Sequence, residues 1–245
     1  MSSSALDSLP GYRRRFIITP QPGQVRSELE DDYHRMEVVI HHEAGVAVAI
    51  DAFTLRAPWN TCSDAVAQVR KTFLGVPLNT FGARGEAKLN CTHLHDLAVL
   101  GAAHVDDDTP LIYDVLVSDP VADRAHAELR RNGKAILNWT LENMQIVEPT
   151  ELAGTMLMDM RALLASMDAP TQEITRILRW ASVVARGRII PFEQQSNAST
   201  MPASCFTFQS GNKEHAFRIG HAKDFSKGQL QPLGERVTSS ANGNS

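Results

Sequence analysis

Residues 36 to 55 read MEVVIHHEAGVAVAIDAFTL, alternating apolar and polar side chains on both sides of Gly45. A period of two places successive side chains on opposite faces of a strand, and a glycine between two such runs supplies the reversal. The stretch predicts an antiparallel hairpin, half buried on a core, with Val38, Ile40, Val46, Val48 and Ile50 on its apolar face. A ribbon with one apolar face needs a second layer to cover it, which points to helices packed on one side of a sheet.

The downstream patterns supply those helices. After the turn-forming RAPWN, Asn60 or Thr61 caps a helix running to about Leu74, with Ala65, Val66, Val69 and Phe73 at helical spacing and Cys62 in its first turn. The loop GVPLNTFGARGEA leads to a second helix from Thr92 to about His104, striped by Leu94, Leu97, Ala98 and Leu100, with Cys91 at its N-terminus. PLIYDVLVSD and KAILNWTLENMQIVE alternate as further strands, and VADRAHAELRRNG between them reads as a short helix. Two more helices are predicted, at about 150–166 and 171–185, separated by Pro170 and stopped by Gly187. The stretch around Cys205 reads as a loop or short strands. The fold class is α+β: an antiparallel sheet with helices packed on one side and a C-terminal helical extension. Residues 1–10 and 233–245 are small and polar and are expected to be disordered, which leaves a single domain over 11–232.

Composition then removes several functions. With 43% hydrophobic residues in 245 the chain supports a sizeable core, and a net charge of −4 gives no reason to propose nucleic acid or an anionic membrane surface as the main partner. No run approaches the roughly 18 apolar residues of a membrane helix, and the opening MSSSALDSLPGYRRR lacks the apolar segment of a secretory signal, so a cytoplasmic protein is expected. Three widely spaced cysteines, Cys62, Cys91 and Cys205, do not make a disulfide framework and are free thiols, ligands or core residues. No phosphate-cradling glycine loop, HExxH, GxSxG or EF-hand loop is present, so no nucleotide or flavin cofactor is expected. The oligomeric state stays open.

The candidate chemistry is concentrated in NCTHLHD, residues 90–96. On a helix, residues three and four apart share a face, which pairs Cys91 with His95 and His93 with Asp96, whereas His93 and His95 diverge by about two hundred degrees. One of the two histidines is expected to face the interior or a pocket and the other solvent. A thiol at a helix N-terminus is favoured as thiolate by the unpaired amides there, and this applies to Cys62 as to Cys91. Cys62, Cys91, His93 or His95, and Cys205 or Asp64 supply enough ligands for zinc. Without a metal, His93, His95, Asp96 and Asp64 are acid–base groups, and the same residues also fit a packed helix start. HHEAG at 41–45 falls on the hairpin turn and DDD at 106–108 in a loop, where solvated polar residues are expected.

The segments PGYRRRFIITP, ELEDDYHRMEVVI, RAPWNTCSDA, CTHLHDLA, ARGRII and SCFTFQ, followed by DFS, occur in that order and resemble a bacterial family of about this length catalogued as a domain of unknown function. The resemblance spans nearly all of residues 10–230, and all three cysteines fall in its motifs. Its members tend to occur in bacteria that degrade aromatic and steroid compounds, which implies a catabolic role. More distantly, the order of hairpin, Cys62 at one helix head and KLNCTHL at another is similar to the iron–sulfur cluster scaffold proteins, which implies that Cys62 and Cys91 approach each other. Relative to the family pattern the chain carries Ser63 and Asp64 where proline and glycine are usual, and adds His95 and His221. The resemblance and the residues together predict a lyase or isomerase of lignin-derived aromatic or steroid-like compounds, such as a retro-aldol lyase releasing formaldehyde. His93, His95, Asp96 and Asp64 would move protons, Trp59 and His221 would contact a small aromatic substrate, and zinc, if bound, would sit on Cys62, Cys91 and Cys205. The alternative is a zinc or iron–sulfur carrier built on the same three cysteines.

Overall fold

The computed structural model describes residues 5–191, 194–219, 222–227 and 230–235. The fold is α+β, with an eight-stranded antiparallel sheet in the order β4-β3-β2-β1-β5-β6-β7-β8. Where the sequence suggests one domain over 11–232, the chain groups into two compact units, one of residues 16–111 and 192–223, the other of 1–15, 112–191 and 224–245. Strand β1 (Gly11–Gln21) gives its first five residues to the second of these and the rest to the first.

In the unit of residues 16–111 and 192–223, β2 (Gln24–Asp31), β3 (Arg35–Glu43) and β4 (Val46–Arg56) form an antiparallel meander. The predicted hairpin around Gly45 is therefore present. Its buried face holds Val38, Ile40 and Ile50, but Val48 is 46% exposed. The pairing explains this: the register shifts between His41 and His42, which pair with Ala49 and Ala47 and leave Val48 as the extra residue of a β-bulge. Helix α1 (Ala65–Phe73) packs on β4, and α2 (Thr92–Ala103) on β2 and β3. Their apolar stripes enclose Val25, Leu29, Ile40, Val69, Leu94 and Leu97, and Phe73 stacks on Phe81 at 4.3 Å between ring centres. The helix predicted to start near Thr61 opens instead with a 3₁₀ turn over Asn60–Asp64, which contains Cys62.

In the other unit, β5 (Leu111–Ser118), β6 (Arg124–Arg131), β7 (Lys134–Glu142) and β8 (Gln145–Glu148) continue the sheet. The segment VADRAHAELRRNG is thus a strand and not a helix. Its alanine, leucine and arginine content favours a helix locally, but both its ends are turns: Ala122 and Asp123 have φ of 48° and 66°, and Asn132 and Gly133 have 49° and 78°. Two consecutive residues at positive φ make a hairpin turn, and pairing then buries Ala127 and Leu129 opposite Trp139 and Leu137. At Gly11 a Cβ would lie 2.2 Å from the carbonyl oxygen of Val117, so only glycine lets the chain pass there. The helix predicted over 150–166 is broken into 3₁₀ turns at Thr150–Leu152 and Leu157–Asp159 and a short α3 (Arg161–Ala165), with Gly154 at φ 88° between them. Helix α4 (Ala169–Ala185) starts two residues before its predicted position, because Asp168 accepts the amide of Thr171 and Pro170 fits inside the first turn.

Residues 5–10 are ordered where composition predicts disorder. Ala5–Ser8 is a 3₁₀ turn, Asp7 pairs with Arg130 at 2.8 Å, and the buried Arg13 guanidinium donates to the carbonyls of Leu6 and Leu9 at 2.8 and 2.7 Å. Of the predicted tail, Leu233 is buried, and 236–245 lie outside the described residues. Among the described residues no helix is long and apolar enough to cross a membrane.

Candidate functional site

The reactive groups that converge come from a loop and a helix start. Strands β2 and β3 are joined through Asp32, Tyr33 and His34, and the turn is made by Asp31. Its Oδ1 accepts the amides of Tyr33 and His34, each at 2.7 Å, while its own amide donates to the carbonyl of His34 at 2.9 Å. An aspartate that bonds its own backbone two residues on is a turn former, so DDYH closes the hairpin and brings the His34 ring back over the same carboxylate. Nδ1 of His34 lies 3.0 Å from Asp31 Oδ1 and 3.2 Å from Oδ2. An ionised carboxylate only accepts, which puts the proton on Nδ1 and leaves the lone pair on Nε2.

His93 arrives from the first turn of α2. Its ring lies against that of His34, with centres 3.9 Å apart and planes tilted by 31°. Asp31, His34 and His93 are all buried, and one ligating atom of each lies within 4.8 Å of the others. Arg56, at the end of β4, locks the loop. Its guanidinium donates to the carbonyls of Asp31 (2.6 Å), Asp32 (2.8 Å) and His34 (3.2 Å) and to Glu30 Oε1 (3.2 Å). Lys223 reaches the same Glu30 oxygen at 3.0 Å, so that buried carboxylate is doubly compensated.

The three cysteines gather in the same unit. The amide of Phe206 donates to the carbonyl of Asn90 at 2.8 Å and thereby pins the Cys205 segment beside the head of α2. The Cys62 thiol lies 3.5 Å from the hydroxyl of Thr207, and Cys91 Sγ lies 3.8 Å from Met36 Sδ. Cys62 and Cys91 are within electrostatic reach of each other, and Cys205 of both. Their protonation differs from the expectation. Burial pushes the Cys91 thiol far up, and the neighbouring Cys62 adds to the rise against the opposing amides of Leu94 and His93. Burial likewise raises Cys62, and raises Cys205 to about 11. Desolvation outweighs the helix N-terminus, so at neutral pH the three are thiols and not thiolates. Among the described residues they do not belong to the group whose ligating atoms converge.

The remaining sequence candidates separate from this centre. Both histidines of CTHLHD are buried, where one was expected to face solvent. His95 points into the apolar interior against Phe73, 5.1 Å between ring centres, and neither of its nitrogens has a hydrogen-bond partner. Asp96 Oδ1 stands 3.9 Å from His95 Nδ1, beyond hydrogen-bonding range, so it does not orient that ring. Asp64 is exposed. Trp59 is buried, with the Arg218 guanidinium 5.4 Å over its ring and Phe208 edge-on at 5.5 Å. His221 lies outside the described residues. A cavity in the other unit, lined by Val117, Asp119, Leu141, Ser182 and Arg186 among others, contains neither histidine nor cysteine.

Sequence reasoning missed Asp31 and His34. Their signal is the spacing Asp-x-x-His inside ELEDDYHRME, which lets one aspartate both close a turn and hold the histidine that the turn delivers. Comparison of the chain with models of protein families finds no match, and comparison with curated proteins finds none either.

Proposed function

We propose that the protein is a cytoplasmic lyase or isomerase of small aromatic, lignin-derived or steroid-like compounds, with His34 and His93 as its acid–base pair and Asp31 holding His34 in place. The supporting observation is the buried carboxylate–imidazole contact of 3.0 Å with a second imidazole against it. Asp31 fixes the tautomer that leaves His34 Nε2 a base, the role such a carboxylate plays wherever a histidine must accept a proton in a set orientation. One proton on the pair suffices for a turnover: the neutral ring accepts and the protonated ring donates.

Retro-aldol release of formaldehyde from an aromatic substrate that carries a hydroxymethyl group on the carbon next to an aryl ketone fits that pair. The base removes the hydroxyl proton, the C–O bond becomes C=O, and the carbon–carbon bond breaks. Its electron pair passes to the conjugated carbonyl of the substrate, and the second imidazole returns a proton to carbon. No electron leaves the system, so no redox cofactor is required. The alternative reading, a zinc or iron–sulfur carrier, draws on the mutual proximity of Cys62, Cys91 and Cys205. Thiols that burial keeps protonated and that do not converge on one point support it less than the Asp31–His34–His93 arrangement supports catalysis.

The test is formaldehyde release from a panel of β-hydroxy aryl ketones, in wild type, His34→Ala, His93→Ala and His95→Leu. The expected outcome is a loss of at least about 100-fold in kcat for the first two, the scale of a lost acid–base group, with His95→Leu retaining turnover. Unchanged kcat in a folded His34→Ala protein overturns the assignment.

A further inference from the structure

We infer that Asp31, His34 and His93 form a binding site for one divalent first-row cation, zinc above others, held by two imidazole nitrogens and a carboxylate. The inference rests on the centre of the proposed function and describes its metal-loaded state: the ion would take the place of the proton that Asp31 and His34 Nδ1 share, and the two rings are then ligands and not the acid–base pair.

Convergence is the first argument. Three chemically suitable ligands lie within 4.8 Å of one another, from two elements separated by nearly sixty residues. Tetrahedral ligands at about 2.1 Å from an ion are about 3.4 Å apart, so side-chain adjustment of about an ångström closes this set on a single ion. Ligand chemistry is the second. Two histidines and one carboxylate are borderline donors that suit zinc and its neighbours, and a set of three leaves a coordination position for a substrate oxygen, the pattern of catalytic rather than structural zinc.

Support is the third. Asp31 is fixed by two loop amides, and Arg56 binds three carbonyls of the same loop, so two of the three ligands are positioned before any ion arrives. Charge is the fourth. The nearby Glu30 carboxylate is paired with Arg56 at 3.2 Å and Lys223 at 3.0 Å, while the Asp31 carboxylate faces the His34 imidazole and two loop amides. A cation there would polarise a hydroxyl or carbonyl oxygen bound at its open position.

The site also differs from the one that the sequence suggests. Its donors are nitrogen and oxygen, and the thiols of Cys62, Cys91 and Cys205 stand outside the convergent group.

The experiment is zinc titration of the chelator-stripped full chain by equilibrium dialysis and elemental analysis, with cobalt(II) as a spectroscopic probe. Wild type, Asp31→Asn, His93→Ala and Cys91→Ser are compared, each checked for folding by circular dichroism. Asp31→Asn keeps the turn-forming side-chain oxygen and so guards against an unfolded variant. The expected result is one zinc per chain in wild type and Cys91→Ser, loss of stoichiometric binding in Asp31→Asn and His93→Ala, and visible cobalt bands without a sulfur-to-cobalt charge-transfer band. Absence of binding in wild type, or binding lost in Cys91→Ser and kept in folded His93→Ala, overturns the inference. The two readings fail separately. Turnover by a wild type that binds no zinc removes the ion and leaves the acid–base pair, whereas stoichiometric zinc lost in Asp31→Asn and His93→Ala, with no turnover of the panel by stripped or loaded wild type, removes the acid–base pair and leaves the ion.

Discussion

His93 and His95 are two residues apart on one helix, equally hidden from solvent, and they end in opposite surroundings. His93 meets a second imidazole and, through it, a carboxylate held by a tight turn. His95 meets Phe73 and no hydrogen-bond partner at all. What separates them is the element facing each side of α2. The β2–β3 loop carries Asp31 and His34, whereas the ring that His95 meets is Phe73, itself stacked on Phe81. Clustering of titratable residues in a sequence therefore marks a place, but the partner supplied from elsewhere decides which member acts.

The largest effect that would break this contrast is on the His93 side. Asp31→Asn and His93→Ala are expected to reduce kcat by at least about 100-fold, while His95→Leu leaves kcat and KM within about twofold; parallel kinetics of the three variants check this. Next in size is Arg56→Lys. A lysine keeps the charge but cannot reach Glu30 and three carbonyls in one fork, so zinc affinity is expected to fall about 10–100-fold, as for loss of an outer-shell partner. Competition with a chromophoric chelator measures it, and an unchanged affinity would show that the loop holds its shape without the clamp.

On the other side of the contrast, His95→Leu removes two buried, unpartnered nitrogens and fills similar volume. It is expected to stabilise the protein by about 1–3 kcal/mol, which a thermal scan would register as a rise in Tm of several degrees. A fall in Tm would mean that the imidazole has a partner after all. The smallest effect concerns the thiols. Cys205 titrates near 11 in the folded chain against an ordinary 9.0, and Cys62 and Cys91 are raised in the same sense. The folded state holds these protons more tightly than the unfolded chain. The contribution of Cys205 to stability is therefore complete below pH 9 and is lost as the pH climbs through 11, and those of Cys62 and Cys91 fall in the same direction from pH 9 upward. Urea unfolding midpoints at pH 8, 9, 10 and 11 should fall along that series, less steeply in Cys205→Ser, and a flat profile would contradict the burial argument.

Much of the scaffold was legible. Alternation around Gly45 predicts β3 and β4, and the stripe of Leu94, Leu97 and Leu100 predicts α2 with Cys91 at its head, because these patterns are local consequences of period and capping. The exposed Val48 was not legible, since a bulge shifts the pattern by one residue without changing composition. Strand β6 reads as a helix in the sequence because local helix preference competes with the turns at its ends, of which Asn132–Gly133 is the visible signal. At the centre, only His93 is legible in the sequence. Asp31 and His34 stand some sixty residues earlier, and no spacing rule within CTHLHD could announce a ring delivered from another hairpin. The expectation of thiolates at Cys62 and Cys91 failed for a similar reason: the dipole of a helix start is visible in sequence, but the burial that overrides it is not.

The most direct test is X-ray absorption spectroscopy at the zinc edge on the zinc-loaded full-length protein. A first shell of nitrogen and oxygen at about 2.0–2.2 Å, with imidazole outer-shell scattering from two rings, is the predicted result for ligation by Asp31, His34 and His93. A first shell dominated by sulfur at about 2.3 Å would place the ion on the cysteines and contradict the account.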